Sequence, residues 1–165
     1  MQYTAQGNHN REFELFDSNN SSLGILDYTQ WFTIKAKVII PNGDSYNIAP
    51  KNFWLTDIEM NKNDIATASV KRNWAMNVIV TIGDSSQYYF KGVGLLNRHF
   101  ALLTEQDHEI AVLKPNFQWS KFTFDYEIET DDNYKELSDP VILLFLIYCC
   151  NYIHSNGGAI GAAGL

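Results

Sequence analysis

Alternation of apolar and polar residues is the dominant pattern of this chain, and it is typical of β-strands that bury one face. The clearest example is residues 121–129, where every second position is aromatic or aliphatic and the others are charged or hydroxylated. The predicted inward residues of this strand are Phe122, Phe124, Tyr126 and Ile128. Residues 32–40 and 76–82 repeat the pattern less strictly. The alternation therefore predicts a sheet with one apolar face and one solvated face.

Polar turn segments separate the apolar runs. The Asn42-Gly43 pair favours a tight type I′ turn, because both residues tolerate positive φ angles. Further corners are predicted at 17–22, 61–64, 83–86 and 105–108. The runs between the corners predict about eleven strands, near 12–16, 23–28, 32–40, 45–49, 53–60, 64–71, 76–82, 87–93, 99–104, 109–114 and 120–129. Short strands in series predict antiparallel hairpins, and hence a sandwich or a barrel.

A different pattern begins after the last strand and predicts a helix over 138–154. Asp139 can cap the first amides, Pro140 suits the first turn, and the glycines at 157 and 158 favour an end there. Residues 141–150 are apolar on every side, so this helix must be surrounded by protein or by lipid. The apolar run 141–153 spans only roughly 20 Å, whereas a bilayer core needs about 30 Å. We therefore expect no transmembrane span, and we predict a mainly β, antiparallel closed barrel of about 11–12 strands that encloses the C-terminal hydrophobic helix.

Length and composition add limits to this prediction. The 165 residues fit a single domain, with strands over 12–129 and flexible ends at 1–10 and 157–165. The net charge of −7 opposes binding to nucleic acid, which requires a basic surface. Cys149 and Cys150 are adjacent in the apolar run and are predicted to be buried free thiols. Free thiols and the absence of a secretory pattern at the beginning of the sequence predict a cytoplasmic location.

The final strand with its acidic outer face, the Asp139-Pro140 helix start and the apolar run 141–153 together resemble the tubby C-terminal-like superfamily. This group includes tubby domains, phospholipid scramblases and plant LURP-one-related proteins. The resemblance covers roughly residues 12–154, and it implies a barrel around a central helix and suggests a link to lipid. The chain lacks the proline-rich N-terminal region and the cysteine cluster of scramblases. It also shows no match to the basic head-group site of tubby domains, so no functional residue is transferred from the family.

The densest acidic stretch is the one candidate metal site. Carboxylates at Asp125, Glu127, Glu129 and Asp131 could hold calcium through hard oxygen ligands, although the EF-hand order is absent. The alternative is a solvated outer face that discourages aggregation. The four histidines have no zinc-ligand spacing, no nucleophile elbow is present, and no dinucleotide loop is recognised. No cofactor is predicted.

Aromatic residues are the second candidate feature. The four tryptophans could line a ligand cavity, although packing in the core or at a rim is more usual; they are Trp31, Trp54, Trp74 and Trp119. Phe53-Trp54 and the run from Tyr88 to Phe90 interrupt strict alternation, so each places at least one ring on the outer face. Such rings could form an exposed patch that contacts a partner.

These features favour a non-enzymatic binding or scaffold module with a protein or lipid partner, because a filled barrel leaves ligands only the outer surface. One alternative is a small-molecule or lipid carrier with a lipocalin-like interior. Another is a membrane-tethered protein that uses residues 141–165. An enzyme also stays open, since active sites are clusters in space that a single sequence hides.

Overall fold

A computed structural model describes residues 1–8, 11–29, 34–73, 78–94 and 99–161, with helix side chains described as far as Ser155. Within these residues, twelve antiparallel strands form one closed barrel. The strands are β1 (Gln2–Gly7), β2 (Glu12–Phe16), β3 (Ser22–Tyr28), β4 (Ala36–Ile39), β5 (Ser45–Pro50), β6 (Asp57–Lys62), β7 (Ile65–Arg72), β8 (Val78–Ile82), β9 (Ser86–Val93), β10 (His99–Leu103), β11 (Glu109–Gln118) and β12 (Thr123–Thr130). A short 3-10 helix (Lys135–Ser138) leads into the helix α1 (Pro140–Gly161). The predicted mainly β barrel with a C-terminal helix is confirmed.

Each strand pairs with its neighbours in sequence, and β1 closes the barrel between β2 and β12. Ala5 of β1 is opposite Leu15 on one side and Tyr126 on the other. The prediction of a flexible segment over 1–10 is therefore wrong for the strand that it contains. The inward residues of β1 are Tyr3, Ala5 and Gly7. Only one of them is a large apolar side chain, so the alternation of this short strand is not visible in the sequence.

The turn chemistry also differs from the sequence prediction. In the β4–β5 hairpin the Gly43 N–H donates to the Ile40 carbonyl (2.9 Å), and Gly43 has φ +91° whereas Asn42 does not have a positive φ. This is a type I turn followed by a glycine bulge, so the type I′ turn expected at Asn42-Gly43 is wrong. Two consecutive positive φ angles, the mark of type I′, occur instead between β6 and β7 at Asn63 (50°) and Asp64 (65°).

The predicted alternation holds along most of the last strand. Tyr126 and Ile128 are buried and Phe124 is half-buried, with acidic side chains on the outer face. Phe122 is the exception: it precedes β12, has φ +51° and is 80% exposed. Its predicted inward orientation is wrong because the chain is still turning at this residue and has not yet joined the sheet.

The helix α1 fills the barrel. Its first turn is capped as predicted, since the Asp139 carboxylate accepts the Val141 N–H (2.9 Å). Every side chain in Val141–Cys150 is buried, and these side chains belong to the same core cluster as the inward residues of the strands. The predicted enclosure of the helix is thus confirmed. Within the described part of the chain, no helix combines the length and the apolar character that crossing a membrane requires.

The helix is longer than predicted, because its backbone passes through the glycines at 157 and 158 and ends at Gly161. Glycine costs about 1 kcal/mol in a helix interior, which is small beside the packing that already fixes the preceding turns. The predicted flexible end at 157–165 is therefore helical as far as 161, and residues 162–165 lie outside the described residues.

One glycine lets the helix approach the sheet closely. Gly24 in β3 has φ +154°, and a Cβ atom there would lie 2.8 Å from the Ile39 carbonyl oxygen and 3.1 Å from Leu144 Cδ1. Any larger residue would push β3 away from β4 or from the helix. The sheet is also irregular here, with a register shift between Leu15 and Phe16 on the neighbouring β2.

Candidate functional site

Because neighbouring strands are antiparallel, successive connections lie at alternate ends of the barrel. The connections that follow odd-numbered strands lie at one end, and those that follow even-numbered strands lie at the other, where β12 also leads into α1. The helix therefore runs towards the first end. We call this first end the aromatic end, because its connections hold the four most exposed large aromatic side chains described: Phe53 (88%), Trp54 (78%), Trp119 (77%) and Phe122 (80%).

The β5–β6 connection is held in shape by a side-chain clamp. Asn52 accepts the Thr56 N–H through Oδ1 (3.1 Å) and donates to Thr56 Oγ1 through Nδ2 (2.9 Å). Between these two residues the chain bulges outward and presents Phe53 and Trp54, whose rings meet edge to face with centroids 5.6 Å apart. Leu55 follows with φ +58°. The clamp therefore fixes the turn that presents the two rings together.

Tyrosines of α1 hold this end of the barrel from inside. The Tyr152 hydroxyl donates to the Leu55 carbonyl (2.6 Å), and the Tyr148 hydroxyl donates to the Ile34 carbonyl (2.8 Å). Burial raises the pKa of both phenols, so both remain protonated donors at neutral pH. The helix thus positions two connections at the aromatic end through backbone carbonyls.

The β11–β12 connection is supported by a chain of rings. Trp119 packs edge to face on Phe117 (centroids 4.9 Å apart), and Phe117 packs on Phe124 (5.1 Å). Phe124 in turn lies 4.9 Å from the imidazole of His154 on α1. Phe122 extends from the same connection into solvent. Both aromatic connections are therefore tied to the last described turns of the helix.

The two connections lie on opposite sides of the barrel mouth. The β5–β6 and β11–β12 hairpins are six strands apart in a ring of twelve. A strand spacing of ~4.8 Å and a tilt of ~40° give a barrel about 24 Å across. The exposed rings therefore form two separate contact points with the helix end between them, and do not line a single groove.

Charge is distributed unevenly between the ends. The described connections of the aromatic end carry basic side chains and no Asp or Glu: Arg11, Lys35, Lys51 and Lys121. The connections of the opposite end carry, besides Lys135, a series of carboxylates: Asp17, Asp44, Asp64, Asp84, Glu105, Asp107, Asp131, Asp132, Glu136 and Asp139. The net charge of −7 is thus concentrated away from the exposed rings.

The residues of the predicted calcium site are engaged with other parts of the protein. Asp125 accepts the Gly7 N–H (2.9 Å), Glu129 pairs with Lys114 (2.8 Å), and Asp131 contacts His108 (3.2 Å). Glu127 is exposed on the outer face. Among the described residues, no three His, Cys, Asp or Glu side chains are placed to hold a metal ion. The described residues therefore give the predicted calcium site no support.

A surface cleft of about 440 Å³ lies beside the same face, between the β2–β3 connection and strands β1 and β12. Asp17, Glu127 and Glu129 contribute to its walls. The cleft is open to solvent and mainly lined by acidic and small polar groups, and nothing in it activates a nucleophile. We assign it no chemistry.

The cysteines do not form a reactive site. Cys149 and Cys150 are free and buried, as predicted, and burial raises the pKa of both thiols. A thiol that cannot ionise is a poor nucleophile and a poor metal ligand. Both side chains therefore serve as small apolar groups of the core.

Sequence reasoning identified part of the aromatic end. Trp54 and Trp119 occupy the predicted rim position, whereas Trp31 and Trp74 lie outside the described residues. In the second aromatic run, Tyr88 and Phe90 are buried and Tyr89 is the ring that faces outward, half-buried. Phe122 was missed because the alternation assigned it to the core. The signal that would have identified Phe122 as exposed is the turn formed by the preceding Trp-Ser-Lys. The inward and outward alternation of a strand begins only after the turn that precedes it.

The fold of this chain is similar to that of a protein of known structure. No protein-family model matches the chain, and no curated protein matches it. The crystal structure of a protein from Arabidopsis thaliana is similar, with a TM-score of 0.55 and 15% sequence identity, over 88% of this chain and 90% of that chain. At this identity the similarity establishes a shared fold alone.

Proposed function

We propose that this chain is a non-enzymatic binding module of tubby-like architecture that engages a protein or lipid partner through its outer surface. The observation that carries the proposal is the position of α1, whose buried residues Leu143, Leu144 and Leu146 occupy the barrel interior. A lipocalin-like carrier needs that interior for its ligand. Because the helix fills the interior, a partner can bind only at the loops and the outer faces.

The tubby-like part of the proposal is supported by the closed twelve-strand barrel with its C-terminal helix. The proposed cytoplasmic location is supported by the two free thiols, which suit a reducing compartment. Tethering through residues 141–165 has less support, because Val141–Cys150 already lies in the core.

The aromatic end is the surface that best fits a binding role. Phe53, Trp54, Trp119 and Phe122 contribute little to the core, yet water-exposed rings of this size are unfavourable. Exposed apolar side chains that cluster at one end of a protein usually mark an interaction site.

Native mass spectrometry with a fluorescent fatty-acid titration tests the proposal against the carrier alternative. We expect the gently purified protein to have the mass of the polypeptide alone and to show no saturable one-to-one uptake of the fatty acid. The matched variants are Trp54→Ser and Trp119→Ser, which alter only the surface. A one-to-one complex that both variants retain would overturn the proposal, because its ligand would have to occupy the interior.

A further inference from the structure

We infer that the aromatic end docks on the interface of a lipid bilayer, with Phe53, Trp54, Trp119 and Phe122 inserted among the head groups and upper acyl chains. This inference rests on the proposed binding function and names the partner of that same surface. Tryptophan and phenylalanine are the residues that favour this interface, where flat rings meet both apolar chains and polar groups.

The arrangement of the rings fits a flat partner. The pair Phe53 and Trp54 and the pair Trp119 and Phe122 lie on opposite sides of a mouth about 24 Å across. A peptide that uses apolar anchors needs adjacent pockets in one groove, and the two pairs do not share one. A bilayer surface meets both pairs at once because they extend from the same end.

The helix adds an uncharged segment at the same end. The backbone of α1 continues to Gly161, and the sequence from 155 to 161 contains no charged residue. A charged segment between the two ring pairs would have to be desolvated on docking, at a high free-energy cost. The lack of charge in this segment is thus compatible with the interface, and the segment is too short to cross a bilayer.

The charge distribution favours a bilayer over a second copy of the chain. Two copies docked end to end would bring the basic residues of both aromatic ends together, including Lys35 and Lys121. Like charges that meet across an interface are unfavourable. A bilayer presents phosphate groups instead, and docking in this orientation directs the acidic end into bulk water.

Backbone conformation supports a role for the side chains themselves. Leu55 and Phe122 have φ +58° and +51°, a region that bulky residues rarely adopt. Glycine or asparagine would suit these turns better, as at Asn63 and Asn20, which also have positive φ. Among the described residues, three with positive φ are not Gly, Asn or Asp: Leu55, Phe122 and Arg11 (φ +61°). All three lie in connections of the aromatic end, so the strain is a property of this end of the barrel.

Vesicle flotation tests the inference with phosphatidylcholine vesicles as the probe. We expect the wild-type chain to float with the vesicles, including at about 1 M salt, where the Debye length falls to about 3 Å. The Trp54→Ser/Trp119→Ser double variant should lose about tenfold or more of its vesicle partitioning. Ile65→Ser is the matched control, because Ile65 is an apolar side chain that is 70% exposed at the opposite end. It should partition as the wild type does.

The outcomes separate this inference from the proposed function. A wild-type chain that stays with the aqueous phase, or an Ile65→Ser variant that loses as much partitioning as the double variant, overturns bilayer docking. Sedimentation velocity measures the oligomeric state of the wild type and of the same variants. A wild-type dimer that the tryptophan substitutions abolish would show that two copies associate end to end. That result would also overturn bilayer docking, and it would leave the binding-module proposal standing. Thermal melting of each variant confirms that the exposed substitutions leave the barrel folded.

Discussion

The hydroxyl of Tyr152 donates a 2.6 Å hydrogen bond to the backbone carbonyl of Leu55, and this contact joins the enclosed helix to the connection that exposes Phe53 and Trp54. The donor is buried in the barrel and the acceptor lies in a surface turn. The helix therefore has two tasks, because it fills the core and also positions the candidate docking surface.

Substitution Tyr152→Phe should loosen this connection. It removes the hydroxyl and keeps the ring, so we expect the free energy of unfolding to fall by about 0.5–1.5 kcal/mol. Hydrogen exchange should accelerate at the amides of residues 51–56, because the turn loses its contact with the core. Urea denaturation and native-state hydrogen exchange measure the two effects.

Tyr148→Phe is the control for this prediction. Tyr148 donates to the Ile34 carbonyl in another connection, so its loss should cost a similar free energy and leave exchange at 51–56 unchanged. Equal acceleration at 51–56 in both variants would show that the effect is a general loss of stability and not a positioning role of Tyr152.

Phe122→Gly should make the barrel more stable while it weakens the candidate docking surface. The residue has φ +51° and an exposed ring, so glycine relieves backbone strain and removes no core packing. We expect Phe122→Gly to be more stable than Phe122→Ala by about 1 kcal/mol, since alanine also loses the ring but keeps the strain.

Both Phe122 variants should lose vesicle partitioning to the same extent, because both lack the ring. Urea midpoints test the predicted difference in stability, and flotation of the same samples tests the predicted loss of vesicle partitioning. If alanine is as stable as glycine, the turn is not strained at this residue. If both variants partition as the wild type does, Phe122 lies outside the docking surface.

Gly24→Ala should be among the costliest glycine substitutions in the sheet. The new Cβ would meet the Ile39 carbonyl oxygen at 2.8 Å and Leu144 Cδ1 at 3.1 Å, so strand or helix must shift. We expect a loss of about 2–3 kcal/mol in the free energy of unfolding, measured by urea denaturation. Gly43→Ala is the comparison, because Gly43 has φ +91° with no atom within 4 Å of the added Cβ and should lose only about 1 kcal/mol. Equal losses would mean that β3 gives way without disturbing the helix.

Two physical signals made the architecture predictable from the sequence. The run Val141–Cys150 is apolar on all sides and too short for a bilayer, so protein must enclose it. Alternation such as that of Val78, Val80 and Ile82, all buried, assigns the inward face of each strand. Both signals depend on residues close together in the sequence and correspond to large burial free energies, which is why the enclosure of the helix and most of the described strand faces agree with the prediction.

The closing strand and the candidate site depended on non-local geometry. Tyr3 and Ala5 form a strand only because β2 and β12 lie on either side of it, which a short polar segment does not reveal. The opposition of Trp54 and Trp119 across the mouth requires the closed strand order. Leu55 and Phe122 depend on turn conformations that the hydrophobic pattern does not encode.

His154 should make the stability of the barrel depend on pH below neutrality. Its imidazole is half-buried between the rings of Phe100 and Phe124, each 4.9 Å away, and burial lowers its pKa from the usual 6.5. The unfolded chain therefore binds more protons than the folded chain just below pH 6.5, so this contribution to stability is present above pH 6.5 and is lost as the pH falls towards the lower pKa of the folded chain. His154→Phe keeps an aromatic ring and removes the titration, so urea midpoints between about pH 7.5 and 5 should fall less for the variant than for the wild type. If the urea midpoints of the variant and the wild type fall equally with pH, the two phenylalanine rings stabilise the imidazolium enough to cancel the cost of burial, as a cation–π contact can.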